Sequence, residues 1–176
     1  MMIDWQYFMP DYNAIFIRAV DGVIKEYVEG KIQFMTEADL QSHLFSKCVE
    51  LMKQEGFTPP FQIHAEKDVF ERRRKIDMVL GANDVLVEIK LEPDYPGVNK
   101  PVVFSTIEEA GGKGYGSVEA DLLKIEDYAR KGKHAHFIMI DEDGRHTRKI
   151  SANWKKVNVG GKTRYLLHVY HKPKPL

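Results

Sequence analysis

An α/β fold with a central sheet flanked by helices is the class this sequence predicts, and three observations predict it. Two apolar stretches joined by turn residues, 74–80 and 85–91, read as paired strands. A stretch with a 3.6-residue apolar period precedes them, and a second follows. A further apolar strand, Ala135 to Asp141, comes after the second helix. With Phe61 to Ala65 as a first strand, the order is helix, three strands, helix, strand. The 176 residues suit one domain with a sizeable core.

Before that core, residues 13–29 carry Phe16, Val20, Val23, Ile24, Tyr27 and Val28, a spacing that suits an additional N-terminal helix. Asp21-Gly22 in its middle makes a hairpin the rival reading. The first core helix opens at Thr36-Glu37-Ala38-Asp39, with Thr36 as N-cap and Asp39 completing a short capping box. Leu40, Leu44, Cys48, Leu51 and Met52 form its apolar face, and Gly56 with Pro59-Pro60 stops it. Glu37 falls on the same face as Leu40 and Leu44, at the helix start. An acid there also suits the macrodipole alone.

The hairpin carries the chemistry. Arg74-Lys75-Ile76-Asp77-Met78-Val79-Leu80 is joined through Gly81-Ala82-Asn83-Asp84 to Val85-Leu86-Val87-Glu88-Ile89-Lys90-Leu91. Symmetry about the Ala82–Asn83 bond sets Asp77 opposite Glu88 and Lys75 opposite Lys90. Alternation then puts Lys75, Asp77, Val79, Leu86, Glu88 and Lys90 on one face. Directly opposed Cβ atoms stand about 5 Å apart, so two carboxylates there repel unless positive charge lies between them. A divalent cation answers that requirement, and hard oxygen ligands favour Mg²⁺ or Mn²⁺. The rival reading is a solvated charged face. The other face, Val85, Val87, Ile89 and Leu91, is wholly apolar, and Leu86 and Val79 share the charged one. The second strand therefore reads as buried on both sides, where a Glu and a Lys are costly without a purpose.

Beyond the hairpin, 92–116 holds Pro93, Pro96 and Pro101, then Gly111-Gly112-Lys113-Gly114-Tyr115-Gly116. Its glycines match neither the P-loop nor the dinucleotide fingerprint. It reads as a flexible flap beside the site, with a short strand at Val102–Phe104. The second helix, Ser117 to Lys131, has Leu122, Ile125 and Ala129 with Leu123 and Tyr128 as its stripe, and Gly132 ends it. Lys124 either faces the site or is an exposed helix lysine, the plainer reading. After the strand at 135–141, Asp143-Gly144 turns the chain, and Tyr165 to Tyr170 suits one added C-terminal strand.

Charge is unevenly spread. Residues 129–176 hold 12 Lys/Arg against 3 Asp/Glu, and residues 1–128 hold 14 against 23. Such polarity points to a polyanionic partner, or to attraction between the halves in an oligomer. Arg145, Arg148, Lys149, Lys155, Lys156, Lys162, Arg164, Lys172 and Lys174 are candidates for phosphate contacts, with Arg72, Arg73, Arg74 and Lys75 as a second cluster. Trp154 and Tyr165 interleave with the first set and offer stacking surfaces. Basic residues on turns are also simply solvated ones.

Several classes are disfavoured. The single Cys48 leaves no internal disulfide and reads as a small buried hydrophobe. No apolar run approaches the roughly 20 residues of a membrane span. The N-terminus lacks the pattern of a signal peptide, so a cytoplasmic setting is expected. His134 and His136 share a strand face at the strand's start, where solvent exposure is expected rather than metal binding. No Gly-x-Ser-x-Gly elbow supports serine chemistry.

Asp77 on one strand and Glu88-Ile89-Lys90 on the next, within the order helix, three strands, helix, strand, resemble the PD-(D/E)XK nuclease superfamily. The resemblance covers about residues 36–141, leaving 142–176 as a basic extension of the same domain. It implies a restriction-endonuclease-like core and a magnesium-dependent nuclease cleaving DNA, in a restriction, repair or mobile-element setting. It implies catalytic roles for Asp77, Glu88, Lys90 and Glu37, with the metal held by Asp77, Glu88, Glu37 and the Ile89 carbonyl. DNA contacts are expected from Arg72, Arg73, Arg74, Lys113, Lys124, Lys155 and Lys156, and a homodimer is a possible form. The alternative is a nucleic-acid-binding or assembly module with little or no catalysis.

Overall fold

The computed structural model describes residues 10–69, 74–94, 103–112 and 116–175. Three helices, α1 (Tyr12–Val28), α2 (Glu37–Gln54) and α3 (Val118–Arg130), flank one mixed sheet. Its strands are β1 (Ile63–Val69), β2 (Arg74–Leu80), β3 (Val85–Glu92), β4 (His134–Asp141), β5 (Lys155–Val159) and β6 (Lys162–His171). The spatial order is β1-β2-β3-β4-β6-β5. β3 and β4 are parallel, joined across α3, and every other neighbouring pair is antiparallel. Among the described residues, no helix is long and apolar enough to cross a membrane.

Each helix starts where its sequence says it should. Asp11 accepts the Ala14 amide at 2.9 Å to open α1. Thr36 and Asp39 form the reciprocal capping box of α2, with bonds of 3.2 and 2.8 Å. Ser117 accepts the Ala120 amide at 3.1 Å to open α3. The helix prevails over a hairpin at 13–29 because Ile15, Phe16, Ala19, Val20, Val23 and Tyr27 bury along one stripe. A Cβ on Gly22 would stand 2.9 Å from the end of the flexible Lys47 side chain of α2, which can shift.

Two cores lie on opposite faces of the sheet. α1 and α2 cover Met78, Leu80, Val85, Val87, Ile89, Leu91, Ile138 and Ile140. α3 covers Ile76, Val79, Leu86, Phe137, Met139 and Leu167. Strand alternation in β3 and β4 therefore sends odd and even positions to different helices, and both strands are buried on both faces. Cys48 is fully buried as expected, and burial pushes its thiol up to about 12.

Three expectations are corrected by the architecture. The C-terminal extension supplies two strands rather than one, a β5–β6 hairpin that continues the sheet beyond β4. His136 is buried rather than solvent-exposed, because β4 lies inside the sheet, between β3 and β6. It meets His168 at 3.0 Å and Asn13 at 2.8 Å. Leu123, placed on the apolar stripe of α3, is 53% exposed.

Part of the charge asymmetry is met within the chain. Arg145 meets Glu92 at 3.0 Å, Lys162 and Arg164 each meet Asp94 at 3.2 Å, and Lys149 pairs with Glu109. These four cations, offered as phosphate contacts, are engaged by acids of the first 128 residues. Of the expected flap, residues 92–94, 103–112 and 116 are described, and the 103–112 part is fastened rather than loose. The Val103 carbonyl accepts Arg145 at 2.7 Å, and the Ile107 amide donates to Glu119 at 2.8 Å. Val102 lies outside the described residues, and Phe104 makes one bridge, to Ser117.

Candidate active site

β2 and β3 pair as predicted nearest the turn, with Met78, Val79 and Leu80 opposite Val87, Leu86 and Val85. The turn is tight, and Gly81 (φ 67°) and Asn83 (φ 64°) take left-handed backbone that their residue types tolerate. The paired segment stops at Met78 and Val87, so Asp77 does not lie directly across from Glu88, nor Lys75 from Lys90. On the other side, the β1 register runs through Ala65–Met78 and resumes at Lys67–Ile76, skipping Glu66 and Asp77. Glu66 has φ 49°, the left-handed conformation of a local ladder irregularity. Ile76 and Val79 consequently bury on the α3 side while Met78 and Leu80 bury on the other. Strict alternation fails across Asp77.

That departure places Asp77. Its Oδ2 accepts the Ile89 amide of β3 at 2.6 Å, and its carbonyl accepts Gln41 Nε2 from α2. Glu88 and Lys90 follow β3 alternation onto the α3 side, beside Leu86. Glu88 is 2% exposed. Its Oε1 lies 2.6 Å from Lys124 Nζ, and Tyr128 donates to the same oxygen at 3.4 Å. Lys90 Nζ stands 3.3 Å from Asp121 Oδ2 and 3.6 Å from Glu37 Oε2, and it donates to the Ile89 carbonyl at 3.1 Å. Glu37 and Asp77 are thus linked through Lys90 and the Ile89 backbone, with Glu88 beside them on β3.

Electrostatics at the site follow from burial. Burial raises the pKa values of Glu37 and Asp77, opposed chiefly by the Lys90 charge. Burial pushes Glu88 up to about 8, with Lys124 opposing. Burial also disfavours the Lys90 ammonium, but Asp121, Glu37, Asp77 and Glu88 together outweigh it and hold the lysine charged above its ordinary range. Four carboxylates and two ammoniums share the site. Among the described residues, the buried Asp121 Oδ2 atom meets Lys90 as an ion pair and makes no other hydrogen bond.

Sequence reasoning missed Asp121 and misread Lys124. Lys124 is not an exposed helix lysine; it lies against Glu88 and donates to the Lys75 carbonyl at 3.2 Å. The signal was helical spacing: Asp121, Lys124, Ile125 and Tyr128 fall on one side of α3, and Ile125 and Tyr128 are buried in the core. Gln41, likewise unassigned, follows Glu37 by one helical turn.

The remaining expected contacts are scattered. Lys155 and Lys156 stand exposed on edge strand β5, three strands from β3. Arg72, Arg73 and Lys113 lie outside the described residues, and Arg74 enters only as the first residue of β2. Trp154 donates to the Ile150 carbonyl at 3.1 Å and packs on the α3-side core. Among the described residues, no three His, Cys, Asp or Glu side chains enclose a position for a metal ion. The two ammoniums lie among the acids instead. Comparison with protein-family models, with curated proteins and with solved structures returns no match for this chain.

Proposed function

We propose that this protein is a divalent-metal-dependent nuclease that hydrolyses DNA phosphodiester bonds on a restriction-endonuclease-like core. The observation that carries the reading is the convergence of Asp77, Glu88, Lys90 and Glu37, from two strands and a helix, with Asp121 and Lys124 from a fourth element, α3. The helix, three strands, helix, strand order, with β1 to β4 adjacent in sequence order, supports the same core.

The donor chemistry of these residues suits a hard divalent cation. Every available donor is oxygen: the carboxylates of Glu37, Asp77, Glu88 and Asp121 and the Ile89 carbonyl. Four carboxylates against two ammoniums leave a formal deficit of positive charge that a doubly charged ion matches. Asp121 Oδ2, buried and held among the described residues only by its ion pair with Lys90 at 3.3 Å, adds a further oxygen beside the other acids. Asp77, Glu88 and Glu37, with the Ile89 carbonyl, would hold the ion. When bound, Mg²⁺ or Mn²⁺ lowers the pKa of a coordinated water and offsets charge on the scissile phosphate.

The chain's own residues do the positioning. The Ile89 amide fixes the Asp77 carboxylate, so this acid is oriented by backbone rather than by a mobile side chain. The rigid, doubly buried β3 holds Glu88 and Lys90 at a two-residue interval on one face. The Lys90 ammonium, kept charged by its neighbours, orients the attacking water and offsets negative charge on the phosphoryl oxygens as the P–O bond to water forms and the bond to the leaving oxygen breaks.

Plasmid, single-stranded and branched DNA, each incubated with Mg²⁺, Mn²⁺ or chelator, test the reading. Cleavage is expected with metal only and is expected to disappear in Asp77→Asn. Cleavage by Asp77→Asn at the wild-type rate, or none by wild type on any substrate, defeats it. A second reading, a binding or assembly module without catalysis, is favoured by one observation: Glu88 already has an ammonium 2.6 Å away. Calorimetric Mn²⁺ titration separates the two, because a pure assembly module has no need of a Glu88-dependent metal site.

A further inference from the structure

Two ammoniums divide the acids of the site unequally. Lys90 serves Asp121, Glu37 and the Ile89 carbonyl, and it is rooted in the centre of the sheet. Asp77 is satisfied by the Ile89 amide. Among the described residues Glu88, the most buried of the four acids, has a single close cation, Lys124 at 2.6 Å, with the Tyr128 hydroxyl more distant on the same oxygen. Lys124 reaches it from α3, and its other contact is the Lys75 carbonyl at 3.2 Å. The four-carbon stem lets this ammonium leave Glu88 without any movement of the helix backbone.

An ammonium and a divalent ion cannot share one carboxylate oxygen at such distances without strong repulsion. Metal binding through Glu88 Oε1 therefore competes with Lys124. We propose that Lys124 is an internal counter-ion: it pairs with Glu88 when no divalent cation is bound, is displaced by that ion, and then presents its ammonium to a substrate phosphate. The inference rests on the metal-site reading of the same carboxylates.

The test is Mn²⁺ titration calorimetry on the full chain, with wild type, Lys124→Met and Glu88→Gln compared. Thermal unfolding of each in chelator and in saturating Mn²⁺ accompanies it. Lys124→Met is expected to bind Mn²⁺ at least about tenfold tighter than wild type, because a competing cation is gone. It is expected to unfold at lower temperature in chelator, where Glu88 is left unpaired, with the gap narrowing in Mn²⁺. Binding by Lys124→Met that is equal to or weaker than a measurable wild-type affinity overturns the counter-ion role and leaves the metal site standing. No binding by wild type or by Lys124→Met removes the metal-site reading and this inference with it. Should Lys124→Met not fold, NMR of lysine ammonium groups in wild type decides. The Lys124 signal must move on Mg²⁺ addition and stay fixed in Glu88→Gln; an unmoved wild-type signal at saturating Mg²⁺ refutes displacement.

Discussion

Asp77 Oδ2 accepts the Ile89 amide at 2.6 Å, so an acid of β2 takes a donor that would otherwise serve the β2–β3 ladder. The hydrogen bond accounts for the early end of that ladder at Met78 and Val87. It also separates two variants that a sequence argument treats alike. Asn at position 77 keeps an acceptor for Ile89 but loses the charge, whereas Ala loses both. Asp77→Asn is expected to unfold within about 0.5 kcal/mol of wild type and to lose at least about a hundredfold in cleavage. Asp77→Ala is expected to lose cleavage equally. Its unpaired amide costs about 1 kcal/mol, partly offset by relief of like-charge repulsion. Urea unfolding beside a nicking assay checks both, and cleavage by Asp77→Asn near the wild-type rate contradicts the assignment.

Arg164 should matter to stability far more than its neighbour Lys162. Both meet Asp94 at 3.2 Å, but Arg164 is 8% exposed and also donates to the Glu142 carbonyl, while Lys162 is exposed. Losing a charge-assisted hydrogen bond typically costs about 1.5–3 kcal/mol, and an exposed pair is worth under about 1. Arg164→Met is therefore expected to lower unfolding free energy by roughly 2 kcal/mol, and Lys162→Ala by less than about 0.5. Equal effects in chemical denaturation would show that the distinction by burial is wrong.

Local signals in the sequence carried much of the fold. Thr36 with Asp39, the stripe from Leu40 to Met52 and the Gly81–Asp84 turn each depend on residues a few positions apart, and each appears as read. What the sequence did not reveal depends on distant partners. The break in alternation at Asp77 involves Gln41 and Ile89, which are brought there by tertiary packing. His136 was misplaced because a strand's position within its sheet is not written in its own residues. Lys124 was misread because a lysine on a helix has the same local pattern whether it meets water or a buried carboxylate. Counting faces from Ile125 and Tyr128 would have located it and Asp121 together.

His136 gives the folded chain an acid limb. It stacks on His168 and Tyr170, bonds Asn13, and meets Phe16 edge-on. Burial pushes its pKa down to about 3, helped by the neighbouring His168 and His134 charges, and burial lowers His168 too, against the Asp21 charge. An unfolded histidine titrates near 6.5, so between about 6.5 and 3 the unfolded chain binds the extra proton. Stability from the neutral ring is complete above that range and falls as pH drops through it, by up to about 1.4 kcal/mol per pH unit. His136→Gln cannot take up this proton. Its unfolding free energy, measured in urea at pH 7.5, 6 and 5, is expected to fall less steeply than that of wild type. Parallel slopes would remove His136 as the source.

Lys155 and Lys156, adjacent in sequence, should differ in their effect on DNA. Lys155 lies opposite Leu166, and Val157 and Val159 on its face pack toward α1 and α2. Lys156 lies opposite Tyr165, on the parity that takes Leu167 and Val169 to the α3 side. That is the face carrying Glu88 and Lys90. Three strand spacings separate β5 from β3, about 14 Å, which a bound duplex can span. One phosphate contact contributes a slope of about −0.9 to the dependence of log affinity on log salt. Lys156→Ala is therefore expected to weaken DNA binding and to reduce the magnitude of the slope by roughly one, with Lys155→Ala close to wild type in both. Both lysines are exposed on an edge strand, so neither variant should change thermal unfolding. Fluorescence anisotropy across a salt series with catalytically inert Asp77→Asn as background provides the measurement. A larger loss from Lys155→Ala than from Lys156→Ala would place the DNA on the opposite face of the sheet, away from the carboxylates.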